Sequence, residues 1–296
     1  MIYDRRPTPG SPVPMIVADC DCHVGENPAW HPMQKRLYWC DIPNGRIFRY
    51  DPATCTHETC YEGEVCGGFT IQSNGDLLLF MARGAIRSWR DGKLKTVLEE
   101  ISDERESRFN DVIADPAGRV FCGTMPTAKR LGRLYRLDCD GELTILLEGV
   151  GCSNGMAFSP DHKKMYYTDS TARTIYLFDY DKRTGNLSHQ RVFLSTREGD
   201  GVPDGATVDS EGCLWSARWD GGCVVRYDPD GKEERRVAFP VKKVSSLTFG
   251  GDDYADLYVT TAGGQNSPEE GQYAGALFRV RVGRTGIPEC FSRIRV

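Results

Sequence analysis

Apolar and polar residues alternate with a period of two along most of the chain, in runs of four to eight residues closed by Pro, Asp, Asn or Gly. Period-two alternation predicts half-buried strands, because successive side chains point to opposite faces of a sheet. The pattern recurs as a unit: a short apolar stretch, a turn, a second strand, then a strand rich in Arg or Tyr. In chain order the units are NPAWHPMQKRLYWCDIPNGRIFRYDP, GGFTIQSNGDLLLFMARGAIRSWRDG, NDVIADPAGRVFCGTM with GRLYRLDCDG, NGMAFSPDHKKMYYTDSTARTIYLFDYD, DGATVDSEGCLWSARWDGGCVVRYDPDG, and SSLTFGGDDYADLYVTTA with GALFRVRV. No long helical pattern interrupts them. Six units of roughly 41–50 residues, each of three to four strands, predict an all-β six-bladed propeller around a central channel.

The units can be superposed on their first turn, at Pro32, Ser73, Pro116, Pro160, Ser210 and Gly251. Six residues before each turn stand Glu26, Gly67, Asn110, Asn154, Asp204 and Ser245. Equivalent positions at the start of the innermost strands ring the axis of a propeller at one level. The register therefore gathers two carboxylates and two amides that are far apart in sequence. Burying such groups unpaired costs several kcal/mol. Either they hydrogen-bond one another and a few buried waters, or they form an oxygen-rich site for a hard divalent cation.

Composition narrows the classes. The 296 residues carry 37 basic and 42 acidic side chains, a net charge of −5, with no basic run to meet a phosphate backbone, so nucleic acid is not expected as a partner. No stretch of 18 apolar residues exists to span a membrane, and the opening MIYDRRPTPGSPVPMIVADC lacks the apolar core of a signal peptide. A cytoplasmic protein is expected, a monomer or small homo-oligomer. It is read as one propeller domain over 1–296, with 1–15 a flexible leading segment. The twelve cysteines are scattered and lack the two-residue spacing of a zinc or redox motif, so packed thiols are expected. The cluster Cys20-x-Cys22-His23 lacks a second cysteine pair to complete a soft-metal site.

Several of these segments together resemble the regucalcin (senescence marker protein), gluconolactonase and luciferin-regenerating enzyme family. The resemblance covers nearly the whole chain and rests on GENPAWHP with LYWCDIPNGRIFRYDP, RFNDVIADPAGRVFCGTM, SNGMAFSPDHKKMYYTDS, VPDGATVDSEGCLWSARWDGG, and LTFGG followed by LYVTTA. It implies a six-bladed propeller holding one divalent metal in its channel, with hydrolysis of sugar lactones as the common activity. The implied metal ligands are Glu26, Asn154 and Asp204, three of the positions already gathered by the repeat register. The implied substrate contacts are Arg108 and Asn110. Three departures stand out. The family's NDG reads Asn110-Asp111-Val112, and its GEGP reads Gly25-Glu26-Asn27-Pro28. An acidic pair that regucalcin carries after Gly-Thr-Met is replaced by the basic Pro126-Thr127-Ala128-Lys129-Arg130, so the family's substrate preference does not carry over to this chain.

Other constellations are weaker. None of the five histidines falls on the ring register, and there is no Gly-x-Ser-x-Gly elbow for a serine nucleophile. His162, in a Pro-Asp-His-Lys turn, is expected to face solvent. Cys152, two residues before Asn154, is expected to be a packed thiol. Of the tryptophans at 30, 39, 215 and 219, Trp219 is the best placed to wall a pocket.

The expected reaction is hydrolysis of a small sugar lactone (an aldonolactone) to its hydroxy acid. One divalent ion, Ca²⁺ foremost with Zn²⁺, Mn²⁺, Mg²⁺ or Fe²⁺ as alternatives, would polarise the carbonyl and activate water. Asp204 would double as general base. The alternatives are a non-catalytic calcium-binding regulatory propeller and a phosphotriesterase-type hydrolase.

Overall fold

The computed structural model describes residues 12–264 and 268–296. Six four-stranded antiparallel sheets are arranged as the blades of a β-propeller. Their innermost strands are Gly25–His31, Cys66–Ile71, Phe109–Ala114, Ser153–Phe158, Val202–Val208 and Val244–Gly250. We number the blades 1 to 6 in that order. Each ring position lies at the start of one of these strands, and each first turn lies at its far end, so the two sets occupy opposite faces of the disc.

Burial falls from the axis outward. Inner strands such as Ser153–Phe158 are buried at every position, whereas the outer strand Asn186–Ser195 is mostly exposed. That gradient follows from the packing: the inner strands are covered on both faces by neighbouring blades, and the outer ones meet water. Each of the six seams has its own apolar cluster. Aromatic pairs bolt several of them, including Phe80 with Phe109 between blades 2 and 3, edge to face at 5.3 Å. Phe121 meets Phe158 at 5.6 Å between blades 3 and 4, and Trp30 stacks on Tyr258 at 6.3 Å between blades 1 and 6.

Two features go beyond the repeat pattern. The sixth unit supplies only three strands. Its fourth is Met15–Ala18, which pairs antiparallel with Leu277–Arg281 and so closes the ring with the start of the chain. The segment expected to be flexible over 1–15 therefore ends on a strand residue at Met15, and its residues 1–11 lie outside the described residues. The second feature is the C-terminal tail, which crosses the face of the first turns. Asp209 bridges Gly286, the Ser210 N–H donates to Thr285 O at 2.9 Å, and the Ser73 N–H donates to Ser292 O at 2.9 Å. Arg293 N–H reaches Gly118 O at 2.8 Å. The tail thus ties blades 5, 2 and 3 together and covers the channel at the end away from the ring. Ile287–Cys290 line its narrow inner cavity, as does His162, which is half-buried rather than facing solvent.

Candidate functional site

A β-bulge shifts the pairing of the inner strand with its neighbour at the ring level in every blade: between Glu26 and Ala29, Cys66 and Gly68, Phe109 and Val112, Asn154 and Met156, Pro203 and Ala206, and Val244 and Ser246. Bulges re-aim side chains and are common beside active sites. Here they turn the ring residues toward the axis.

Four of the six ring positions meet in one cleft of roughly 480 Å³: Glu26, Asn110, Asn154 and Asp204, joined by Arg108. That volume suits a small ligand. The other two positions serve packing. At Gly67 there is no room for a side chain, since a Cβ would stand 1.9 Å from the Phe109 carbonyl oxygen. Ser245 is fully buried and donates to Gly25 O at 2.5 Å, tying blade 6 to blade 1. Gly155, next to Asn154, has φ +28° and its Cβ would meet Asp204 O at 2.3 Å, so only glycine lets blades 4 and 5 approach here. Val112, which replaces a family glycine, is an ordinary buried strand residue in the seam between blades 2 and 3.

The electrostatics ask for a cation. Burial first, then the Asp111 charge, push Glu26 up to about 8. Asp204 is raised well above the usual carboxylate range by burial and then by Glu26. Glu26 Oε2 accepts one backbone N–H, from Asn27 at 3.0 Å, and Asp204 accepts no side-chain hydrogen bond among the described residues. Two buried carboxylates that repel each other, with an amide oxygen beside them, are a hard-oxygen donor set that fits a divalent cation. No cluster of three or more His, Cys, Asp or Glu forms among the described residues, so an ion here would rely on the Asn154 amide and water to complete its shell.

The amides are held by a network of defined polarity. Asn110 Nδ2 donates to Ser153 O at 2.8 Å and to Asn154 Oδ1 at 2.6 Å, while Asn110 Oδ1 accepts Arg108 Nη1 at 2.6 Å. Arg108 Nη1 also reaches Phe109 O at 2.9 Å. The Nε and Nη2 of Arg108 bond no described residue and remain available to a ligand. Such a fork suits hydroxyl and carboxylate oxygens.

Apolar side chains from three blades also line the cleft: Val24 and Ile42 from blade 1, Met125 from blade 3, and Val202 and Trp219 from blade 5. Trp219 is the last residue of Leu214–Trp219, and Lys243 Nζ lies 5.5 Å from its ring centroid. Cys152 lines the cleft too, its Sγ 3.6 Å from Met125 Sδ. Burial pushes its thiol up to about 12, so it stays protonated and unreactive. None of the twelve cysteines is in a disulfide among the described residues. Lys129 and Arg130 do not line the cleft: Lys129 pairs with Glu106 at 2.8 Å, and Arg130 pairs with Glu104.

Of a second ring, only Trp219 is legible in the sequence, and it lines the cleft as expected. The second strands end opposite or beside the ring level, and a residue at or just past that end lines the cleft in four blades: Ile42, Met125 and Ser170 follow their strands, and Trp219 ends its own. These positions share a register at the ends of the second strands, but not a chemistry that the sequence repeats. Behind them, Asp169 accepts the N–H groups of Gly151 at 2.9 Å, Cys152 at 3.1 Å and Ala172 at 3.2 Å. Asp41 holds Val24 N–H in the same way at 3.0 Å.

The family model described as the SMP-30/Gluconolactonase/LRE-like region matches residues 24–263. The chain is 50% identical over 287 residues to pentonolactonase XacC of Haloferax volcanii, covering 95% of this chain and 98% of that protein. It is 35% identical over 285 residues to regucalcin of Bos taurus, covering 90% and 94%. The structure of a calcium-binding protein, regucalcin, from Agrobacterium tumefaciens superposes with a TM-score of 0.89 at 26% identity, covering 96% of this chain and 98% of that one.

Proposed function

Because the chain belongs to the SMP-30/gluconolactonase/LRE-like family, we propose that it hydrolyses small sugar lactones, five-carbon aldonolactones first among them, and that the reaction depends on one divalent cation. The observation that carries the reading is the convergence of Glu26, Asn154 and Asp204, from three blades, on one cleft beside Arg108 and Asn110. The relative at 50% identity is a pentonolactonase, which supports the substrate class. The calcium-binding regucalcin of similar fold supports Ca²⁺ as the first ion to try. Zn²⁺, Mn²⁺, Mg²⁺ and Fe²⁺ also accept oxygen donors.

Glu26, Asn154 and Asp204 would hold the ion, whose Lewis acidity polarises an ester carbonyl and eases deprotonation of water. Arg108 and Asn110 bind the hydroxyls of the lactone and hold its carbonyl carbon within reach of a water beside Asp204. Asp204 takes a proton from the attacking water as its oxygen bonds to the carbonyl carbon. That proton is then free to pass to the ring oxygen as the lactone C–O bond breaks. The apolar side chains of Val202, Met125 and Trp219 pack against the C–H face of the sugar and keep bulk water from the reacting carbon.

A proton-release assay over pentono- and hexonolactones and phosphotriesters tests this, with chelator-stripped protein as control. Lactones turned over by the metal-loaded protein alone are the expected result. Turnover of phosphotriesters without lactones would replace the reading with a phosphotriesterase, and metal binding without any turnover would favour a regulatory propeller.

A further inference from the structure

We infer that Ser170 is a positioning residue that fixes which face of the Asn154 amide is presented to the cleft; the inference rests on the metal-site reading above. Ser170 follows the second strand of blade 4, Lys164–Asp169, and is 9% exposed. Its hydroxyl donates to Pro203 O at 2.7 Å. That carbonyl can only accept, so the single proton of Ser170 is committed and its oxygen can do nothing but accept from the group facing it. The facing group is Asn154 Nδ2, at 2.9 Å. The amide nitrogen is thereby turned into the blade, and Oδ1 is the atom left for a cation.

The other end of the network obeys the same logic. Asn110 Nδ2 is committed to the acceptor-only Ser153 O and also donates to Asn154 Oδ1, which keeps a second lone pair for a ligand. Two backbone carbonyls thus set the polarity of the whole chain of bonds. Ser170 also acts across the seam, because Pro203 immediately precedes Asp204. One hydroxyl therefore ties the orientation of one ligand in blade 4 to the backbone that carries another in blade 5. Groups behind a metal ligand that orient it in this way commonly govern affinity.

The test is a double-mutant cycle of Ser170→Ala and Asn154→Ala, read by calorimetric titration of the full-length protein with Ca²⁺ and Mn²⁺ and by melting of the metal-free forms. Ser170→Ala is expected to weaken metal binding about 10–100-fold while melting close to the parent. In the Asn154→Ala background, where there is no amide to orient, the same substitution should weaken binding clearly less, by only what the tie to Pro203 O contributes, because coupled residues are not additive. Ser170→Thr, which keeps the hydroxyl, should bind like the parent. Equal metal affinity in Ser170→Ala and parent would overturn the inference, as would an equal loss in both backgrounds or a folded Ser170→Thr that has lost affinity. Metal binding is read without lactone, so a parent that binds the ion but hydrolyses nothing overturns the lactonase reading alone. A parent that binds no divalent ion overturns the metal centre and this inference with it.

Discussion

The two ends of the channel are built by the same inner strands and both hold carboxylates, yet one is a cleft and the other a plugged cavity. At the ring end Glu26 and Asp204 face Asn154, Asn110 and Arg108 across roughly 480 Å³. At the tail end Asp111 and Glu289 line about 90 Å³ among Leu247, Ile287 and Pro288, room for a few waters and no more. Burial lifts both pairs: Glu26 up to about 8, and Asp111 and Glu289 each up to about 7. A raised carboxylate pKa therefore does not by itself mark a reactive site. The tail-end groups are answered locally, Asp111 by the Val112 N–H at 2.8 Å and Glu289 by Thr248 Oγ1 at 2.7 Å. At the ring end Glu26 is met by the Asn27 N–H and the Ser246 hydroxyl, but Asp204 has no donor among the described residues, while amide oxygen, a guanidinium and open volume converge on it.

Removing one charge from the ring should have the largest effect. Asp204→Asn keeps the shape but leaves Glu26 as the single carboxylate facing a dication, so metal affinity should fall. At saturating metal, kcat should remain about 10²–10⁴-fold below the parent, the loss of a general base. Rates measured across a metal titration check this, and full recovery of kcat would reduce Asp204 to a ligand. Arg108→Ala leaves the ligand set intact and should raise KM roughly 10–100-fold, the worth of a hydrogen bond to a charged group, with a smaller fall in kcat. An unchanged KM for lactones would remove Arg108 from the substrate site.

The end-to-end contrast also predicts a pH signature. Glu26, Asp111 and Glu289 hold their protons to higher pH when folded than the roughly 4 of free carboxyls. Between about pH 5 and 8 the folded, metal-free chain thus binds more protons than the unfolded one, and its stability should fall as pH rises. The Tm of stripped protein should drop over that range, and saturating Ca²⁺ should flatten the drop by binding the ionised ring. A Tm that rises with pH in stripped protein would contradict the assignment. The smallest effect belongs to the tail end: Glu289→Gln should leave kcat and KM unchanged while raising the Tm of stripped protein at pH 8, because it removes a charge facing Asp111. A loss of lactone turnover there would erase the distinction between the two ends.

What repeats was legible in the sequence, and what does not was hidden. Glu26, Asn110, Asn154 and Asp204 could be aligned because every blade places its inner strand in the same register, and the structure brings all four into one cleft. Gly67 and Ser245 share that register yet serve packing, a difference set by how closely the neighbouring backbones approach. The closing strand Met15–Ala18 is too short, and too far along the chain from Leu277–Arg281, to show as a partner. The tail from Gly283 onward has no counterpart in other units, so the plug could not be read from the period. Ser170 sits at a repeating position, but its equivalents are Ile42, Met125 and Trp219, which share no chemistry for a pattern to catch. The basic loop differs again. Its charge reads from the sequence but its partners do not: Lys129 and Arg130 pair with Glu106 and Glu104.

The most direct test follows bound metal and lactone hydrolysis on the same samples as stripped protein is titrated with Ca²⁺ or Mn²⁺. One ion should bind per chain, with pentonolactone turnover rising in proportion to occupancy and both lost together in Asp204→Asn at low metal. Full turnover by protein carrying no metal, or full occupancy in an Asp204→Asn variant that binds the ion as tightly as the parent, would show that the carboxylates gathered at the ring end are not the metal site.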